Sequence, residues 1–76
     1  MKLQLGGHLP FYASGQKSRH ELSLKQPARL KDVIIQMGIP IAEVYMTVLN
    51  GELVDMDEIM VSDGDEVRLY SPMDGG

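Results

Sequence analysis

The sequence contains no cysteine. A disulfide framework, a thiolate zinc site and a thiol nucleophile are therefore all excluded, and the absence fits a reducing compartment. Long apolar runs are missing too. None approaches the ~20 residues a membrane span needs. The opening Met1-Lys2-Leu3-Gln4-Leu5 lacks the apolar core of a signal peptide. A soluble, cytoplasmic protein that does not engage a membrane is expected. Basic residues are scarce, 7 Lys and Arg against 11 Asp and Glu, for a net charge of -4. A phosphate backbone would be repelled, so no nucleic-acid partner is expected. Two histidines, His8 and His20, are too few for a metal site. The acids Asp55, Asp57, Asp63 and Asp65 lack the spacing of a calcium loop. Gly6-Gly7 lacks the context of a phosphate loop. Ser14 and Ser18 stand near His20 without an orienting third group. No catalytic residue is expected: the chain takes part in catalysis without supplying the catalyst.

What remains is a compact pattern. Seventy-six residues with 43% apolar content make one globular domain, one that buries only ~60% of its unfolded surface. Met1, Leu3 and Leu5 alternate with Lys2 and Gln4, the period of a half-buried strand. Leu9 and Phe11 resume the same phase after the glycine pair. A polar cluster at 13–18 turns the chain into a second alternating segment over 20–25, predicting an antiparallel hairpin. Pro27 suits a first helical turn. Leu30, Val33, Ile34 and Met37 follow at helical spacing, with Gly38 and Pro40 as stop signals. This predicts a helix of about three turns. Val44 to Leu49 reads as a strand, and Asn50-Gly51 as a type I′ turn into Glu52-Leu53-Val54. Acidic residues fill the connection from Asp55 to Val61, a solvated surface with a second reading as a guide toward a basic partner. Glu66 to Tyr70 closes the pattern, with Val67 and Leu69 inward and Arg68 and Tyr70 outward.

One amphipathic helix cannot cover both faces of such a sheet. The expected architecture is α+β, a curved mixed sheet of four to five strands packed on one helix, spanning residues 1–70. The third strand is apolar on both faces, and two phases stay open. Either Met46 and Val48 are buried, or they form an outer apolar patch rimmed by Arg68 and Tyr70 that suits another protein. Residues 71–76 read as a flexible tail, Ser71-Pro72-Met73-Asp74-Gly75-Gly76. On the glycine pair alone the bland reading is a loose terminus. The sharper one is a slim stalk carrying a working carboxylate.

The segment Val48-Leu49-Asn50-Gly51-Glu52-Leu53-Val54, the turn Asp63-Gly64-Asp65-Glu66-Val67 and the terminal Gly75-Gly76, in that order and spacing, resemble the ubiquitin-like sulfur-carrier family. This family includes the small subunit of molybdopterin synthase and the thiamine-biosynthesis sulfur carrier (the MoaD/ThiS type). The resemblance covers essentially the whole chain and implies a ubiquitin-like β-grasp fold. It also implies that Tyr45, Thr47 and Leu49 face the core, leaving Met46 and Val48 outside. By resemblance the chain is a carrier, not an enzyme, or the non-catalytic small subunit of a synthase, with no cofactor of its own. A ubiquitin-activating-type adenylating enzyme would use ATP to activate the Gly76 carboxylate, and a persulfide or sulfide would convert it to a thiocarboxylate. A sulfurtransferase or cysteine desulfurase would supply the sulfur. An acceptor synthase subunit would consume it in molybdenum, tungsten or thiamine cofactor synthesis. Pro72, Met73, Asp74 and Gly75 would thread into the partner, and Met46, Val48, Arg68 and Tyr70 would dock against it. Ser71 stands where molybdopterin-type tails commonly carry a proline, whereas the polar first loop is closer to the thiamine type. Two other readings remain: a ubiquitin-like modifier joined to target proteins through Gly76, and a plain β-grasp interaction domain.

Overall fold

The computed structural model describes residues 1–72. Its strands are β1 (Lys2–Leu5), β2 (Arg19–Glu21), β3 (Ala28–Arg29), β4 (Met46–Leu49), β5 (Glu52–Val54), β6 (Met60–Val61) and β7 (Glu66–Tyr70), and the helix α1 spans Leu30–Gln36. Five strands form one sheet in the order β2-β1-β7-β4-β5. β1 runs parallel to β7, while the β1–β2, β4–β7 and β4–β5 pairs are antiparallel. This is the expected α+β ubiquitin-like β-grasp, a mixed sheet closed over one helix. The last strand in sequence is the central strand in space, so the residues after Tyr70 leave from the middle of the sheet.

The alternating pattern works as expected in β1 and β7. Leu3, Leu5, Val67 and Leu69 are buried and meet Leu30, Val33 and Ile34 from α1. Thr47 is buried on the same face and Leu49 packs against the core. Asn50 and Gly51 have φ of 50° and 87°, the two positive values a type I′ turn requires. Gly38 follows the helix at φ 84°, where a C′ residue is expected.

The structure departs from the sequence reading in five places. Leu9 does not extend β1. It is fully buried in a 3₁₀ turn over Leu9–Tyr12, and Phe11, expected inward, is 72% exposed. The first hairpin therefore closes through a long connection with two 3₁₀ turns, and its second strand stops at Glu21. Pro27 is not in the first helical turn. Ala28 and Arg29 instead pair with Val61 and Met60 as a separate two-stranded sheet, which shortens α1 to 7 residues. The acidic connection contains β6 and a 3₁₀ turn at Met56–Glu58. Finally, Tyr45 is 75% exposed rather than core-facing. Its amide donates to the Tyr70 carbonyl at 2.7 Å, so its backbone extends the β4–β7 pairing while its side chain lies outside the core. No helix among the described residues is long and apolar enough to cross a membrane.

Candidate functional site

The site has two parts, an outer sheet face and the point where the tail leaves it. Register defines the face. Val48 lies opposite both Arg68 and Leu53, Arg68 lies beside Gln4, and Gln4 lies opposite Arg19. One row thus crosses all five strands as Leu53, Val48, Arg68, Gln4, Arg19. The adjoining row holds Met46 opposite Tyr70. A Cβ on Gly6 would come within 2.6 Å of the Tyr70 ring, so the bare glycine makes room for that ring on the sheet. Met46, Val48 and Tyr70 are half-buried and Arg68 is exposed. The face is apolar at one end and carries charges of both signs at the other, where Arg68 and Arg19 adjoin Lys2, Glu66 and Glu21. Among the described residues Arg19 and Arg68 make no ion pair.

The sequence reading omitted Leu53, the most open apolar side chain of this face at 71% exposed. A three-residue strand gives too short an alternation to assign its face; register alone does that. Arg19 and Gln4 were also missed, because only strand order brings the two ends of the chain beside Arg68.

The tail exit is tightly held. The Leu69 carbonyl accepts from the Gly6 amide at 2.8 Å, and the Tyr70 carbonyl accepts from Tyr45. One residue on, Ser71 is buried, and its Oγ accepts a hydrogen bond from the His8 amide at 2.8 Å. Ser71 therefore belongs structurally to the folded domain. Pro72 is exposed. Met73, Asp74, Gly75 and Gly76 lie outside the described residues.

The family model described as Mut7-C ubiquitin matches residues 7–74. The chain belongs to that family. No curated protein matches it. The fold of this Mut7-C ubiquitin member is similar to the solution structure of a thiamine biosynthesis protein from Geobacter metallireducens. The identity is 23% and the TM-score 0.55, covering 100% of this chain and 88% of the other. At that identity the likeness shows the fold alone.

Among the described residues of this Mut7-C ubiquitin domain, no cluster of histidines and carboxylates is arranged to hold a metal. One carboxylate is perturbed for a structural reason. Asn50 Nδ2 donates to Asp65 Oδ1 at 3.0 Å and the Ser62 amide donates to Oδ2 at 2.7 Å. These bonds hold the Asp65 carboxyl below its ordinary value of 3.8. Asn50 Oδ1 in turn accepts from the Glu66 amide at 2.9 Å, tying the β4–β5 turn to the start of β7. A depressed folded value means that the ionised form stabilises the fold above the unfolded value. That contribution is lost as pH falls through the lowered folded value. Asp65→Asn should therefore be less stable than the parent at neutral pH, with the gap closing on acidification below about pH 4. Urea midpoints across that range check it; a gap that widens in acid contradicts the assignment.

Proposed function

We propose that this protein is a sulfur carrier whose Gly76 carboxylate is adenylated by a partner enzyme and converted to a thiocarboxylate. The observation that carries the reading is the order of the chain: the central strand of a ubiquitin-like sheet leads through Ser71 to an exposed Pro72, and the sequence continues to Gly75-Gly76. The likeness to a thiamine biosynthesis protein supports a role in sulfur-requiring cofactor synthesis, of the thiamine type or the molybdenum or tungsten type. The domain itself is a carrier and not the catalyst.

The chemistry follows from the weakness of a carboxylate as an electrophile. A Gly76 oxygen attacks the α-phosphorus of ATP and pyrophosphate leaves. Hydrosulfide then attacks the acyl carbon, AMP departs with that oxygen, and the thiocarboxylate remains. Two residues without side chains can enter a narrow site where a Cβ would clash, while Pro72 limits collapse of the stalk through its fixed φ. Met73 would give the stalk an adaptable apolar anchor. The outer face would dock on the activating enzyme, Leu53, Met46, Val48 and Tyr70 filling apolar contacts and Arg68 meeting a carboxylate.

Incubation with ATP, a ubiquitin-activating-type enzyme from the same genome and sulfide, followed by intact mass, tests this. Exchange of one oxygen for sulfur is expected. A mass that never changes defeats the reading, and isopeptide-linked adducts instead of sulfur exchange indicate a modifier. Arg68→Glu should weaken binding to that enzyme about tenfold, ~1.4 kcal/mol, by opposing the partner's charge. Its thermal stability should be unchanged, because Arg68 makes no ion pair among the described residues. Calorimetric titration gives the affinity.

A further inference from the structure

We propose that Ser71 is a positioning residue: its buried hydroxyl, latched to the Gly7–His8 backbone, fixes the direction in which the reactive tail leaves the domain. The inference rests on the sulfur-carrier reading for its purpose, but not for its geometry. Three observations meet at one point. Ser71 is only 3% exposed although it is the first residue past β7. Its Oγ accepts the His8 amide proton at 2.8 Å across 63 residues of sequence. Gly7 sits at φ +60°, and a Cβ there would lie 2.0 Å from that same oxygen. The left-handed backbone and the missing side chain at Gly7 thus open the space that Ser71 occupies.

The consequence is a shortened lever. Without the latch, free rotation could begin at Ser71, just past the Tyr70 carbonyl that the Tyr45 amide holds. With it, the chain is held through Ser71, and Pro72 fixes φ at the next residue while restricting Ser71 to extended conformations. Four residues, 73–76, follow in sequence, and four residues span at most about 14 Å. A tail launched in one direction loses less orientational freedom when it enters a partner's site, so the carrier docks with its end already aimed. The latch lies five residues from Gly76 in sequence. Its effect should therefore fall on binding of the carrier rather than on the chemical step.

The test has one arm without a partner and one with it. The chain contains no cysteine, so Gly76→Cys accepts a single nitroxide label whose paramagnetic broadening maps where the tail end travels. In the otherwise unaltered protein, broadening should be confined to amides on one side of the domain. In Ser71→Ala it should spread around the surface, and amide exchange at His8 should accelerate while Val67 and Leu69 stay protected. Gly7→Ala, which evicts Ser71 from the opposite side, should give the same spread. In the second arm, with an intact Gly76, Ser71→Ala should raise KM for the carrier in adenylation about tenfold with kcat within about twofold. Identical broadening in the parent and both variants overturns the latch. Spread broadening with unchanged KM overturns its role in activation. If the parent is never adenylated, the sulfur-carrier reading fails, and the labelling arm still decides whether Ser71 aims the tail.

Discussion

Deleting Gly76 should abolish adenylation and thiocarboxylate formation while leaving thermal unfolding unchanged. The two halves of that result have separate physical origins. On the proposed reading the acyl carbon must reach the α-phosphate of a bound ATP, and one residue fewer withdraws it by about 3.5 Å. A misplacement of even ~1 Å at a reacting centre can cost on the order of a hundredfold in rate. The replacement terminus at Gly75 is chemically the same carboxylate, so only position changes. Stability should not follow, because the sheet, the buried core and the Ser71 hydrogen bond all lie within residues 1–71. Intact mass after incubation with ATP, activating enzyme and sulfide, set beside a melting curve, reads both quantities. An active Gly76-deleted protein would sink the mechanism. If every partner bound by the parent is still bound and used, the chain is a plain interaction domain instead.

The fold was largely legible because its main elements obey period rules over enough residues. β1 and β7 alternate cleanly, the helix stripe of Leu30, Val33 and Ile34 is the buried one, and Asn50-Gly51 forces a hairpin locally. The failures share a cause. Leu9 and Phe11 keep the phase of β1 in sequence, yet the bend that follows Gly7 at φ +60° rotates the chain. Leu9 then enters the core from a 3₁₀ turn and Phe11 points to solvent. Likewise Ala28 and Arg29 have no strand signal of their own. They are extended because Met60 and Val61 lie alongside, a partner about 30 residues away that no local window contains.

The candidate site divides the same way. Parity put Met46 and Val48 on one face of β4 and Arg68 and Tyr70 on one face of β7, the family resemblance chose the outer phase for Met46 and Val48, and register brings the four together. Leu53, Gln4 and Arg19 could not be placed there, because their proximity to Arg68 is a property of strand order rather than sequence distance. Ser71 was the least visible residue. In sequence it is a polar residue next to a proline and reads as tail; its burial depends on a glycine 64 positions earlier having no side chain. The one available signal was the glycine pair at 6–7, and a glycine pair does not reveal what fills the space it leaves.

The helix offers the sharpest test of what holds the domain together. Ile34→Ala should lower the unfolding free energy by ~2–5 kcal/mol, out of a total of roughly 4–11 kcal/mol for a chain of this size. Ile34 is fully buried between the helix and the inner sheet face. Truncation therefore removes transfer free energy and leaves a cavity that a rigid neighbourhood fills only in part. Propensity works in the opposite direction, since alanine is the better helix former by a few tenths of a kcal/mol. Any loss therefore reports packing. A helix of 7 residues has no stability of its own in water, so weakening its contact with β1 and β7 weakens the whole structure. Ile35 supplies the internal control. It is the same residue type on the same helix, but 54% exposed, and Ile35→Ala should stay within about 0.5 kcal/mol of the parent. Urea unfolding with an unchanged m-value measures both. Equal effects at the two positions would contradict the assignment of this helix face to the core.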